Sequence, residues 1–553
     1  IATILISEKI MENAIQSYKR FQFTQKYDAI VIGSGIGGLS AAAILAKEAG
    51  KKVLVLEQHY TAGGYTHVFK RRGYEWDVGI HYIGEVHRKQ SELRRLFDYI
   101  TDDKLKWAEM GEVYDNIFFG KEKYEFRKGK ENFKAHLKTY FTDKKDQEAI
   151  DKYVALIYEA QRAGRLFFAE KALPISLAKF TGGMMRKKMM NYSRKTTLEV
   201  LQELTDNPKL IGVLTGQYGD YGLSPSESSF AMHAMVVKHY MNGASFPDGG
   251  CGQIAELTAD VIAKSGGVVL TNAKVEEIMV KSNKAVGVRM KDGREIFAPM
   301  VISAAGIINT YKHLLHKEVQ HKHSLQKQLT KVKPSVSHLG LYIGLKHTVE
   351  ELGLQKPNYW IYPENGYNHD ENLAKYLKDP EHNDFPVVYV SFPAAKDPSW
   401  SKRYPNKSTI DIITLAPYKW FTEWENARWK KRGDEYEAFK ERLSQRLLEK
   451  LYEYLPQLRG KIDYYELSTP LSTRHFCNYE QGEVYGIDHT PDRYEHRFLR
   501  VHTPIKQLYL TGQDVVSAGI GGALAAGMIT ASAILKKDMS SKIKKAYAQK
   551  VQV

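Results

Sequence analysis

Residues 27–46 read Tyr27-Asp-Ala-Ile-Val-Ile-Gly-Ser-Gly-Ile-Gly-Gly-Leu-Ser-Ala-Ala-Ala-Ile-Leu-Ala, the pattern of a strand, a glycine turn and a helix. Ala29 to Ile32 is a short apolar run of the kind buried on both faces of a parallel sheet, and Ala41, Ala42 and Ala43 let the following helix lie close against it. Gly33, Gly35 and Gly38 hold the G-x-G-x-x-G spacing. The first allows the tight turn and the second lets backbone N–H groups reach a pyrophosphate without a Cβ in the way. The third brings helix and strand together, so that the helix opening at Ile36 points its N-terminus at the phosphates. Glycine turns also serve plain packing. The dinucleotide reading gains from a second apolar run, Val53 to Leu56, ending in Glu57, where an acid can accept hydrogen bonds from ribose hydroxyls.

The whole chain of 553 residues is 43% hydrophobic, which makes it globular and too long for one dinucleotide fold. Its 80 basic and 64 acidic residues leave a net charge of +16, compatible with an anionic partner or with solubility alone. A lipid surface is the expected partner and nucleic acid is not. No run of about 20 apolar residues and no secretory h-region is evident, so a spanning helix or signal peptide is not expected. Cys251 and Cys477 stand far apart, which supports neither a disulfide framework, a metal site nor a redox dithiol, and fits a reducing compartment.

Outward from the cradle, residues 1–26 (Ile4, Leu5, Ile10, Met11, Ile15 among them) suit an amphipathic helix or a loosely docked arm. Beyond Glu57 come Gln58, His59 and the pair Gly63-Gly64, a second close backbone approach or an ordinary turn. Residues 88–244 form an insertion, helix-rich and short of strand signals over 88–210. Within it, 166–195 combines Leu166, Phe167, Phe168, Phe180 and four methionines with Arg186, Lys187, Lys188, Arg194 and Lys195. That composition suits either a membrane interface or a Met-rich packed helix with a solvated basic end. Residues 245–306 return to strands, with a hairpin signal at Asp292-Gly293, and 307–465 read as an α+β substrate domain. Leu508 to Asp514 then precedes Gly519-Ile-Gly-Gly, a second strand, glycine loop and helix that lengthens the expected ligand. Residues 541–553 are a basic tail.

Gly33-Ser-Gly-Ile-Gly-Gly, Gly79-Ile-His-Tyr-Ile-Gly, Ser391-Phe-Pro-Ala-Ala-Lys-Asp-Pro-Ser-Trp and Leu508-Tyr-Leu-Thr-Gly-Gln-Asp together resemble the retinol saturase branch of the phytoene desaturase and carotenoid isomerase flavoproteins, from about Tyr27 to Leu535. The resemblance implies an α/β fold: a Rossmann-type FAD-binding domain like those of glutathione reductase and the amine oxidases, made from 27–87, 245–306 and 466–540. An α+β substrate domain and a helical, membrane-facing insertion interrupt it. It further implies FAD, with Gly33, Gly35, Ile36 and Gly38 at the pyrophosphate and Glu57 at the adenosine ribose. Gln58, His59, Gly63 and Gly64 fall on the far side of the phosphates, and Val275 falls at adenine. Gly512, Asp514, Gly521 and Gly522 fall at the pyrophosphate and ribityl end. His59 stands where many relatives carry a basic residue.

The implied activity is saturation of a C=C bond in a polyene lipid, a retinoid, carotenoid or other unsaturated lipid. A carotenoid-type desaturase or cis–trans isomerase is the alternative within the family, and a non-catalytic isoprenoid-binding protein the alternative outside it. Saturation needs a hydride and a proton. By the same resemblance His81 and Tyr82 approach the flavin and are candidates to deliver or orient the proton, or they pack and position the ring. No separate nicotinamide-binding fold is evident, so NAD(P)H or another electron donor stays open, as does the oligomeric state. The expected location is peripheral, on the cytoplasmic side of a membrane.

Overall fold

A computed structural model describes residues 14–551. One sheet is built from β1 (Ile15–Ser17), β2 (Ala29–Ile32), β3 (Val53–Leu56), β4 (Val268–Thr271), β5 (Val301–Ser303) and β6 (Leu508–Leu510). All pairs are parallel, in the order β1-β4-β3-β2-β5-β6. Ala29 and Val31 face a core shared with Leu39, Ala42 and Ile254, whereas Ile30 and Ile32 face Val288 and Met290 on the other side. Burial on both faces is why these strands read as unbroken apolar runs. Helix Gly519–Leu535 packs on helix Ile36–Ala49, with Ser40 Oγ donating to the Leu524 carbonyl at 3.2 Å. The opposite face carries an antiparallel meander of Val275–Lys281, Lys284–Met290 and Glu295–Phe297, whose second turn holds Gly293 at φ +87° where Asp292-Gly293 signalled a hairpin.

A second sheet has seven strands in the order Ile462–Ser468, His338–Leu345, Ser408–Leu415, Val388–Ser391, Asn358–Tyr362, Val113–Phe119, Glu122–Arg127. Leu443, Leu447 and Leu451 of helix Asp434–Tyr454 cover one face, against Leu341, Ile343 and Ile412. Tyr389, Trp360 and Ile413 stand on the other, towards the interior of the molecule.

Four features differ from the sequence reading. Residues 15–17 form a strand that covers the edge of β4, pairing Ile15 with Val269, so this part of the arm is neither helical nor loosely docked. An added strand satisfies backbone groups that an open edge would expose. Ile4, Leu5, Ile10 and Met11 lie outside the described residues. The insertion contributes Val113–Phe119 and Glu122–Arg127 to the second sheet, the first pairing in parallel with Asn358–Tyr362. The charges of the outer strand hide its alternation. Residues of the basic tail belong to helix Met539–Val551, whose Met539 and Ile543 are buried.

The fourth difference concerns helices Lys144–Glu170 and Ile175–Ser193, which form an antiparallel hairpin. Arg186, a headgroup cation in the membrane-interface reading of this segment, is only 5% exposed, donating to the Tyr494 carbonyl with Glu170 at 3.8 Å. Met189 and Met190 are interior. Phe180, 88% exposed, and Met184, 77% exposed, stand in the open beside Leu177, Lys179, Lys187 and Lys188. Among the described residues no single helix is long and apolar enough to cross a membrane.

Candidate active site: a cradle opening into an aromatic chamber

The turn after β2 is pinned by Gly33, φ +95°, whose N–H donates to Leu56 O at 2.8 Å. Helix Ile36–Ala49 starts at Gly35 with no side-chain cap, leaving its first N–H groups free for an anionic ligand. The Glu57 carboxylate takes Ser34 N–H at 2.9 Å and Ser34 O–H at 2.7 Å on one oxygen, and His59 N–H at 2.8 Å on the other. A carboxylate offers about four acceptor positions, so one remains for a ligand hydroxyl. Ser34 Oγ in turn accepts Gly63 N–H at 3.0 Å, tying the two glycine segments together. A Cβ on Gly64 would lie 2.9 Å from Gly35 Cα, so the segments meet backbone to backbone. His59 is held neutral by burial, and its Nδ1 accepts Thr61 N–H at 3.1 Å.

A cavity of about 720 Å³ runs from this cradle into the interior. Gly33, Gly35, Ile36, Glu57, Gln58 and His59 line it at one side, and Gly64, Val275, Gly512, Gly521 and Gly522 complete that end. His81 and Tyr82 line it further in. Gly38 and Gly63 stand behind the wall, as packing and turn residues. Asp514 does not reach the cavity: its oxygens accept Ile307 N–H at 2.7 Å and Ile487 N–H at 3.0 Å, which makes it a tie between loops where the sequence suggests a ligand contact. The wall beside it is Gly512 and Gln513. Positions where a Cβ would clash (Gly37, Gly38, Gly64 and Gly522), an uncapped helix start and an acid with one free acceptor position fit an elongated dinucleotide.

Past the cradle the cavity becomes aromatic. Tyr82 stacks on Tyr240 at 4.0 Å and 7°, and Trp360 lies 4.6 Å from Tyr389. His81 Nδ1 stands 3.4 Å from Asp411 Oδ2, yet among the described residues neither ring nitrogen has a hydrogen-bond partner. Burial and then the Lys396 charge lower His81 to about 3, so the imidazole is neutral. Tyr82 O–H is 2.9 Å from Asp115 and 3.3 Å from Asp220.

Sequence reading missed the charged groups of this chamber. Lys396 is buried and donates to the His81 carbonyl at 2.9 Å, to Ser391 Oγ at 2.7 Å and to Asn358 Oδ1. Burial lowers it to about 7 against the pull of Asp115 and Asp411. Asp411 is pushed up by burial, and Asp77 is raised to about 7 by the same cause. The signal was a lone charge inside an aromatic or apolar run: Asp115 in Tyr114-Asp-Asn-Ile-Phe and Asp220 in Tyr218-Gly-Asp-Tyr; Lys396, followed by Asp397, carried no such signal.

A family profile described as flavin containing amine oxidoreductase matches residues 36–535. An all-trans-retinol 13,14-reductase of Danio rerio is 39% identical over 97% of this chain and 90% of its own. A second Danio rerio protein, named an inactive all-trans-retinol 13,14-reductase, is 34% identical over 97% of this chain and 90% of its own. Among solved structures, an oxidoreductase from Methanosarcina mazei covers 92% of this chain and 100% of its own, with a TM-score of 0.60 at 18% identity, a likeness of fold. The chain belongs to the flavin containing amine oxidoreductase family, in its all-trans-retinol 13,14-reductase branch, and is an FAD-dependent oxidoreductase.

Proposed function

We propose that the chain saturates a C=C bond of a polyene lipid, a retinoid in the first instance, which it draws from an anionic membrane surface. The observation that carries this reading is the single cavity joining the glycine cradle to the chamber of Tyr240, Trp360 and Tyr389 and extending to Phe168 on the helical hairpin. A flat, apolar, conjugated ligand suits those walls.

In this reading the N–H groups at Ile36 and Gly37 hold the pyrophosphate, Glu57 the adenosine ribose and the Val275 backbone the adenine. Gln58 and His59 border the phosphates, with Gly512, Gly521 and Gly522 at the ribityl end. Bound and reduced, FAD supplies a hydride. The chain's own residues hold the alkene in register, keep water out and place an acid at the second carbon. Neutral His81 shapes the wall beside Tyr82. Anaerobic incubation of the photoreduced protein with all-trans-retinol is expected to give a product two hydrogens heavier. A product of unchanged mass with altered geometry would instead mark an isomerase, and a product two hydrogens lighter, formed only when the flavin is supplied oxidised, a desaturase.

The hairpin is the proposed docking surface. Phe180 and Met184 enter lipid while Lys187 and Lys188 meet anionic headgroups, each cation contributing about 1 kcal/mol. Neutralising both lysines is expected to weaken sedimentation with phosphatidylserine vesicles about 30-fold. Phe180→Ala with Met184→Ser should weaken it further. Arg186→Gln is expected to act differently, lowering stability by about 1–3 kcal/mol because it removes the donor to the buried Tyr494 carbonyl, while Glu170 keeps Arg500 at 3.4 Å. Equal sedimentation with neutral and anionic vesicles, or no loss in these surface variants, would refute the docking surface.

A further inference from the structure

We propose that Asp220 is the carboxylic acid that protonates the substrate carbon, held in place by Tyr82 and Asp115. The inference rests on the saturation reading above and assigns the proton that reading requires.

Asp220 ends the 3-10 turn Tyr218–Asp220, lines the cavity, and keeps part of its surface open. Asp115, on strand Val113–Phe119, is fully buried. Its oxygens accept from Asn358 Nδ2 at 3.0 Å, Gln217 Nε2 at 2.7 Å and Tyr82 O–H at 2.9 Å. Asn358 also accepts from Lys396, so a cation, an amide and a carboxylate stand in line behind Tyr82. Burial lifts Asp115 to about 6, while its donors Asn358, Tyr82 and Gln217 pull the other way and leave it the charged partner at neutral pH. Among the described residues the Asp220 carboxyl shares only the Tyr82 hydroxyl, at 3.3 Å.

Two carboxylates joined through one hydroxyl in an apolar chamber do not both ionise, and the proton resides on the one with fewer donors. A phenol has one hydrogen. Tyr82 donates it to Asp115, which leaves the Tyr82 oxygen to accept from Asp220. Burial and then the Asp115 charge raise Asp220 well above the usual carboxylate range, in keeping with this arrangement.

The step balances. Bound and reduced, FAD would supply the hydride for one alkene carbon and be left oxidised; the Asp220 proton goes to the other carbon as the π bond is consumed. Asp220 is left as the carboxylate and regains a proton from water as product leaves. Tyr82 and Asp115 are positioning residues.

The test compares wild type with Asp220→Asn, both loaded with FAD. Infrared difference spectra at neutral pH should show a carboxylic C=O band that shifts in 2H2O and is absent from the variant. With photoreduced protein and all-trans-retinol, Asp220→Asn should lose about 10²–10⁴-fold in saturation rate while keeping its flavin content and retinol affinity. Asp220→Glu should restore part of that rate, which separates an acid from a packing role and covers a poorly folded amide variant. The proposal falls if the band is missing, if Asp220→Asn saturates at the wild-type rate, or if Asp220→Glu is as slow as Asp220→Asn. If wild type saturates nothing, the functional reading fails, while the infrared band still decides where the proton resides.

Discussion

Gly38→Val is expected to yield protein without bound flavin and with a sharply lowered unfolding temperature. A Cβ at position 38 would lie 2.3 Å from the Gly33 carbonyl oxygen and 3.1 Å from both the Ala304 Cβ and a Val31 methyl. The first of these is backbone and cannot rotate away. Helix Ile36–Ala49 would have to lift from β2, carrying with it the N–H groups aimed into the cradle. Overpacking of this kind costs about 1–3 kcal/mol where side chains can adjust and more where they cannot. The flavin absorbance of purified protein and a thermal melt read both effects. Wild-type flavin content in this variant would contradict the assignment of the turn.

The second large effect is expected at Lys396→Met, which keeps much of the side-chain length and removes the charge. It leaves the His81 carbonyl, Asn358 Oδ1 and Ser391 Oγ without their donor. Each buried acceptor left unsatisfied costs about 1–3 kcal/mol. The loss should depend on pH with a defined sign. Lys396 falls to about 7 in the folded protein against 10.5 unfolded, so between those values the unfolded chain binds the extra proton. Stability from this group therefore rises with pH across that window. Wild type gains this rise and the variant does not, so the gap between them in urea unfolding should widen from pH 7 to 10. A gap that stays flat from pH 7 to 10 would show that Lys396 is charged throughout.

Local chemistry made the cradle legible. Strand, glycine spacing and helix occupy residues 29–49, and Glu57 directly follows the next strand, so the first determinants of the cradle lie within one βαβ unit. The proton-handling groups were not legible in the same way. Asp115, Asp220 and Lys396 come from segments more than 100 residues apart: strand pairing sets Asp115 beside Asn358, which accepts from Lys396, and Tyr82 links Asp115 to Asp220. Periodicity within either segment carries no record of that pairing. Asp514 was placed correctly in sequence, but its carboxylate turns to two loop amides, a contact set by Ile307 and Ile487.

The hairpin shows a signal present but unread. Arg186, Met189, Met190 and Ser193 recur at helical spacing on the buried face, while Phe180, Met184, Lys187 and Lys188 share the exposed one. Composition alone pooled the two sets. Resolved by helical phase, the cations facing outward are the lysines.

The most direct test of the account is anaerobic mixing of the photoreduced protein with all-trans-retinol while flavin absorbance is followed. The account predicts that the oxidised flavin spectrum returns, with one equivalent of flavin reoxidised for each equivalent of polyene saturated. A flavin that stays reduced while retinol is isomerised or left unchanged would contradict it.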